Sequence, residues 1–218
     1  MRSVIIRVAT ALVLGALFLY LFVYSPPLIT ALSALALLLY IIFFEWPILF
    51  DYKKPLFWLI LPFYLLLPFG FIIYMCSYYK YRILVFYMVL LTSSQDSGGY
   101  IFGSLFGKHK LAPRISPKKS WEGFFGGYLL TLLTLSIILF VENAKMAVPF
   151  ILIFALIISI VATAGDLFES LLKRRAGIKD TGAILPGHGG FLDRIDSYLA
   201  VSFVFFLFKD YLLKVFNI

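Results

Sequence analysis

The chain has 218 residues, of which 62% are hydrophobic, and it carries 19 Lys and Arg against 11 Asp and Glu, a formal net charge of +8. A soluble domain of this length does not need so much apolar surface, so the composition predicts an integral membrane protein. The basic excess is typical of loops beside anionic headgroups or phosphates and does not indicate nucleic acid, and the single cysteine, Cys76, excludes an internal disulfide.

Apolar segments, each close to the ~20 residues that a bilayer requires, recur along the whole chain. They lie at 4–24, 28–44, 56–75, 83–103, 122–141, 146–172 and 190–213. Residues 4–24 lack a clear small-residue cleavage site, so we expect a span there and not a signal peptide. The pattern predicts an all-α, polytopic membrane bundle of about seven spans. We expect a single membrane domain over 1–218, in which 1–82 holds the N-terminal spans and 83–218 the candidate catalytic part.

The basic residues indicate an orientation. With seven spans, 14 Lys and Arg lie on one face and five on the other. The positive-inside rule then places the N-terminus and the polar loops 104–121 and 173–189 in the cytoplasm and the C-terminus outside. We expect a multi-pass protein of a bacterial-type inner (plasma) membrane.

An acid followed by glycines interrupts the fourth apolar segment, in the run Gln95-Asp96-Ser97-Gly98-Gly99-Tyr100. This predicts a break in the helix that lines a polar cavity. Three partners for Asp96 stay open: a metal-bridged nucleotide, a ribose hydroxyl, and Lys119.

The next loop combines hydroxyls and lysines in the run Ser116-Pro117-Lys118-Lys119-Ser120 before a helix that starts at Trp121. Such a loop suits phosphate binding, because lysine acts as a mobile point charge. The alternative is a positive-inside anchor beside an aromatic belt.

Residues 166–196 hold five of the 11 acids and five of the 19 Lys and Arg. Asp193 and Asp196 are three apart and share a helical face, as do Asp166 and Glu169, with Lys173 one turn further on. A ligand set of carboxylate oxygens favours Mg²⁺ or a similar hard cation. The alternative is a set of salt bridges with Lys173, Arg174 and Arg194.

A glycine-rich turn, Pro186-Gly187-His188-Gly189-Gly190, precedes the last apolar segment. Its amides, followed by a helix N-terminus, can face an anion, and His188 can donate to a phosphate or act as an acid or base. The alternative is an ordinary flexible loop with a solvated histidine.

These motifs together resemble the phosphatidate cytidylyltransferase (CDP-diacylglycerol synthase) family. The resemblance lies in Ser170-Leu171-Leu172-Lys173-Arg174, Lys179-Asp180, Pro186-Gly187-His188-Gly189-Gly190, Asp193-Arg194 and Asp196, with Asp96, Gly107-Lys108 and 116–123 upstream. Ser104 departs from the family pattern, which carries Arg there, so no phosphate contact is assigned to it.

The resemblance implies an Mg²⁺-dependent nucleotidyltransferase of phospholipid biosynthesis. CMP moves from CTP to phosphatidate, giving CDP-diacylglycerol and pyrophosphate; potassium is a candidate second cation, and a homodimer is implied. Asp166 and Asp193 become catalytic metal ligands, supported by Asp196 and Asp180. The residues expected at phosphates and nucleotide are Lys173, Arg174, Lys179, Lys118, Lys119, Ser116, Asp96, Gly189 and Gly190. His188 is expected to donate a hydrogen bond or position the backbone, because an ionised phosphate needs no strong base.

Three alternatives compete with this function. A polyprenol-type lipid kinase or a cytidylyltransferase for ether lipids would share much of the site and differ in its acceptor groove. An ion-coupled transporter would suit intramembrane acids and proline-kinked spans. Against a transporter, most charges lie on one face, and the sequence shows no inverted repeat.

Overall fold

The computed structural model describes residues 2–186 and 189–218, a helical bundle with one short β-hairpin. The helices are α1 Arg2–Tyr24, α2 Pro27–Tyr40, α3 Trp46–Leu49, α4 Pro55–Leu61, α5 Leu67–Ser77, α6 Tyr79–Phe106, α7 Trp121–Val141, α8 Val148–Arg175, α9 Leu192–Leu207 and α10 Lys209–Val215. Two π-helical segments, Ile41–Glu45 and Pro62–Leu66, join α2 to α3 and α4 to α5. The strands β1 (Lys110–Ala112) and β2 (Ser116–Ser120) pair antiparallel.

Four helical segments of the described chain are long and apolar enough to cross a membrane: Pro27–Leu49, Pro55–Ser77, Trp121–Val141 and Val148–Arg175. The all-α, multi-pass class is therefore confirmed, whereas the count of seven spans is not. Helices do occupy the other three predicted places, but α6 carries charged side chains such as Asp96, which lower its hydropathy, and α9 has only 16 residues. The apolar part of α1 within the described residues, Leu12–Tyr24, is shorter than a span.

The predicted helix break at Asp96 is wrong, because α6 runs without interruption from Tyr79 to Phe106. The glycines serve close helix packing instead. A Cβ added at Gly98 would lie 2.7 Å from the Gly126 carbonyl oxygen and 2.8 Å from the Gly127 Cα. Small residues let two membrane helices approach at the backbone, so this glycine run brings α6 against α7.

Two apolar clusters fill the bundle. One packs α6, α7, α8 and α9 together around residues such as Leu91, Ile158 and Phe205. The other joins the N-terminal helices to the start of α9 through Trp46 and Leu192, both fully buried. The second cluster fixes the N-terminal helices against the end of the bundle where the acidic residues lie.

Candidate functional site

A polar cavity of about 760 Å³ opens among α6, α7, α8, α9 and the hairpin. Each of these elements except α7 contributes at least one charged side chain to its walls. The charged side chains that line it are Asp96, Lys110, Lys118, Lys119, Asp166, Lys173, Asp193, Arg194 and Asp196. Ligand pockets commonly have volumes of about 300–1,000 Å³, so this cavity has the size of a small-molecule site.

Close packing of α8 on α9 brings the two acidic pairs together. A Cβ at Gly165 would lie 2.6 Å from the Ala200 Cβ and 2.9 Å from the Asp196 carbonyl oxygen. This near contact places Asp166 and Glu169 opposite Asp193 and Asp196. The two acidic pairs thus lie side by side at one end of α8 and α9, linked through Lys173.

Lys173 bridges the two helices. Its ammonium nitrogen lies 2.6 Å from Glu169 Oε2 and 2.8 Å from Asp193 Oδ1, and both carboxylate side chains are almost fully buried. The salt-bridge alternative is thus present for Asp193, with lysine as the cation. The other Glu169 oxygen, Oε1, is buried and has no hydrogen-bond partner, although the Asp196 carboxyl lies beside it.

Two backbone amides hold the second oxygen of Asp193. The amides of Thr181 and Gly190 each donate to Oδ2 at 2.8 Å. Gly189 has φ +84°, and a Cβ there would lie 2.6 Å from the same oxygen. Glycine is therefore required at 189 both by its backbone conformation and by the closeness of the carboxylate.

Asp166 is held from the hairpin side. Lys119 Nζ lies 2.6 Å from Asp166 Oδ2, and the two side chains are 23% and 31% exposed. Lys119 was one of the three partners left open for Asp96, but its ion pair is with Asp166. Asp96 Oδ1 accepts a 3.4 Å hydrogen bond from the Ser197 hydroxyl on α9. The lysine loop and the acidic helices form one charged surface.

The hairpin itself was not predicted. It is closed at its base, where Glu122 accepts hydrogen bonds from the His109 amide and, at 2.6 Å, from the His109 ring. Ser120 caps α7 by accepting from the Gly123 amide at 3.1 Å, so α7 begins at Trp121 as predicted. Three- and five-residue strands are too short to stand out from a loop by periodicity alone.

The predicted site residues divide into two groups. Those that line the cavity are Asp96, Ser116, Lys118, Lys119, Asp166, Lys173, Asp193 and Asp196. Those outside its lining are Arg174, Lys179, Asp180, Gly189 and Gly190. Arg174 instead donates to the Ile115 carbonyl at 3.3 Å, which ties the two basic loops together. His188 and its neighbour Gly187 lie outside the described residues.

The donor chemistry of the cavity suits a hard divalent cation, because the four acids that line it, Asp96, Asp166, Asp193 and Asp196, supply only oxygen ligands. Within 2–186 and 189–218, however, no three His, Cys, Asp or Glu side chains already converge as metal ligands. Lys119 and Lys173 occupy the oxygens of Asp166 and Asp193. The ligand set Asp166, Asp193, Asp196 and Asp180 therefore stays a prediction.

Sequence reasoning missed Glu45. This carboxylate is 1% exposed and accepts hydrogen bonds from the amides of Phe191 and Leu192, at the start of α9. The available signal was a lone acid inside the apolar run Pro27–Leu49. Such an acid requires buried donors, but the sequence did not indicate which ones.

Comparison with known proteins gives one family match and several relatives. Residues 5–212 match the model of the Cytidylyltransferase family. A phosphatidate cytidylyltransferase of Staphylococcus haemolyticus is 47% identical over 117 residues, 54% of this chain and 45% of that protein. One of Bacillus subtilis is 45% identical over 124 residues, 56% of this chain and 46% of that protein. The chain spans about half the length of the curated relatives it matches.

Proposed function

Because the chain belongs to the Cytidylyltransferase family, we propose that it transfers CMP from CTP to phosphatidate, giving CDP-diacylglycerol and pyrophosphate. The observation that carries this proposal is one cavity in which the Lys119–Asp166 ion pair joins the lysine loop to α8 and the Lys173–Asp193 ion pair joins α8 to α9. Two relatives that are 47% and 45% identical to it over 117 and 124 residues bear the name phosphatidate cytidylyltransferase.

The reaction explains why cations line the cavity. A phosphatidate oxygen forms a new bond to the α-phosphorus of CTP, while the bond to the β-phosphate oxygen breaks and pyrophosphate leaves with the electron pair. Both reactants are anions, so their approach requires positive charge. Lys118, Lys119 and Lys173 supply that charge from two sides of the cavity.

We propose Mg²⁺ as the cofactor, held by carboxylate oxygens of Asp166, Asp193 and Asp196. A bound divalent ion neutralises phosphate charge and orients the reacting groups. The protein's own part is to place its acids and lysines around one pocket. The phosphate monoester of phosphatidate is mostly doubly ionised at pH 7, since its second pKa is about 6, so the chain need not supply a strong base.

We place the cavity at the cytoplasmic surface of the membrane, where a lipid and a cytosolic nucleotide meet. The basic loops that form it contact each other through Arg174 and Ile115, which supports a shared face. By the positive-inside rule that face is the cytoplasmic side of a bacterial-type plasma membrane. The homodimer that the family resemblance implies stays a prediction, which the mass of the protein in detergent would test.

The position of the transferred label distinguishes the proposed reaction from a lipid kinase. Purified protein in detergent would be given phosphatidate, Mg²⁺ and CTP labelled at the α- or the γ-phosphate. We expect α-label in CDP-diacylglycerol and γ-label in pyrophosphate, with both lost when a chelator is added. Label from the γ-phosphate in the lipid would mean kinase chemistry and would refute the proposal; CTP-independent ion flux in proteoliposomes would favour a transporter.

The lysine loop should contribute in a graded way. Lys118→Ala is expected to raise the KM for CTP about tenfold, the size of one charged hydrogen bond. Lys119→Ala should do more, because it also removes the cation beside Asp166. Initial rates at varied CTP check this; the control is Lys54→Ala, because Lys54 is exposed and does not line the cavity. Unchanged kinetics in the Lys118 and Lys119 double variant would contradict the phosphate-binding role and favour the alternative, a positive-inside membrane anchor.

A further inference from the structure

Glu45 is a buried acid in the N-terminal part of the chain. It ends the π-helical segment Ile41–Glu45, inside an otherwise apolar helical stretch, and is 1% exposed. Among the ion pairs of the described residues, none includes Glu45. A buried carboxylate without a cation is costly unless several donors face it.

The donors come from the far end of the chain. The Phe191 amide donates to Oε1 at 2.8 Å, and the Leu192 amide donates to Oε2 at 2.7 Å. The Thr181 hydroxyl adds a third hydrogen bond at 3.3 Å. The first amides of a helix lack intrahelical partners and carry the positive end of its dipole, so Glu45 acts as an external cap on α9.

Thr181 holds both Glu45 and Asp193, and the other amide on Asp193 Oδ2 comes from the residue next to a donor of Glu45. Thr181 gives its hydroxyl to Glu45 and its amide to Asp193 Oδ2, and Gly190, next to Phe191, gives its amide to the same oxygen. The fit is tight: a Cβ at Gly190 would lie 2.5 Å from Thr181 Oγ1 and 2.8 Å from Glu45 Oε1. The backbone at Thr181 and at Gly190–Phe191 thus lies between the two carboxylates.

We propose that Glu45 is a positioning residue that sets the orientation of Asp193 through Thr181 and Gly190. Glu45 does not line the cavity, so it acts only through the loop. The N-terminal segment 1–82 then completes the site, although the sequence assigned catalysis to 83–218. This inference rests on the proposed function only for its kinetic readout.

Glu45→Gln is the main test, because it keeps the shape but turns one acceptor into an NH₂ group that faces a backbone N–H. We expect kcat for CMP transfer to fall about 10–100-fold, the usual effect of losing a partner that orients a metal ligand. The Mg²⁺ concentration for half-maximal rate should rise about tenfold, with the KM for CTP changed less than about threefold. A purely architectural role would lower the active fraction and leave the Mg²⁺ dependence unmoved, which would overturn the proposal.

Limited trypsin digestion gives a readout that needs no substrate. Lys179 is exposed beside the loop that Glu45 holds, so Glu45→Gln should speed cleavage there several-fold. The matched control is Glu142→Gln, another acid, which accepts from Tyr87 past the opposite end of α7. It should change neither cleavage at Lys179 nor the Mg²⁺ dependence. Wild-type cleavage in Glu45→Gln would refute the proposal, even if the wild-type protein proved to have a different activity.

Gly190→Ala provides a second variant should Glu45→Gln fail to fold. The added methyl group would push Thr181 and Glu45 apart, so it should reproduce the faster cleavage at Lys179 and the raised Mg²⁺ requirement. The control is Gly70→Ala, which should behave as wild type because the space around the Cβ position of Gly70 is open. Gly177→Ala would be unsuitable as a control, because Gly177 has a positive φ that alanine rarely adopts. Equal behaviour of the 190 and 70 variants would contradict the proposal.

Discussion

Replacing Asp193 with asparagine should reduce turnover by at least about 10²–10³-fold, the scale seen when a preorganised electrostatic group is removed. Oδ1 faces the Lys173 ammonium group, and Oδ2 faces the amides of Thr181 and Gly190. The NH₂ group that asparagine introduces would therefore meet a donor in either orientation of the side chain. The same change removes a negative charge that the proposed cation requires. Single-turnover assays with α-labelled CTP measure the loss.

Two controls separate this effect from misfolding. The unfolding temperature and the elution volume in detergent should show that Asp193→Asn remains folded. Asp51→Asn changes an exposed acid that accepts a local 3.0 Å hydrogen bond from the Lys53 amide, and it should keep full turnover. If Asp193→Asn turns over like the wild type at ordinary Mg²⁺, the assignment of Asp193 to the site is wrong.

Replacing Lys173 with methionine should damage both stability and turnover. The ammonium group neutralises Glu169 and Asp193, whose side chains are 0% and 1% exposed. Removal of one partner from a buried ion pair costs about 3–5 kcal/mol, because the remaining charges stay buried without compensation. The methionine also takes away a cation that we place at the phosphates. Thermal unfolding and CMP transfer should therefore both be measured.

A second change distinguishes the two effects. Glu169→Gln added to Lys173→Met removes one uncompensated charge, so it should recover part of the lost stability but none of the turnover. Lys209→Met is the control, because its partner at 3.4 Å, Asp210, is 65% exposed, so the change leaves no carboxylate buried without a cation. Recovery of turnover in the Lys173 and Glu169 double variant would show that Lys173 serves stability alone.

The sequence predicted well where neighbours along a helix decide the geometry. Asp166, Glu169 and Lys173 follow helical spacing, so their common face could be derived, and Lys173 does contact Glu169. The glycine run after Asp96 was misjudged because a glycine in an apolar segment suits either a helix break or a close helix contact. Only the position of α7, whose Gly126 and Gly127 pack against Gly98, shows that the run forms a close helix contact.

By itself, the sequence determined the membrane class, the helical faces of the acids and the basic character of two loops, since these depend on composition and on residues a few positions apart. The tertiary structure alone decided that Lys119 contacts Asp166 and that Glu45 caps a helix 147 positions further along the chain. Those contacts depend on which helices pack together, and apolar helices of similar composition carry too little information to specify their neighbours.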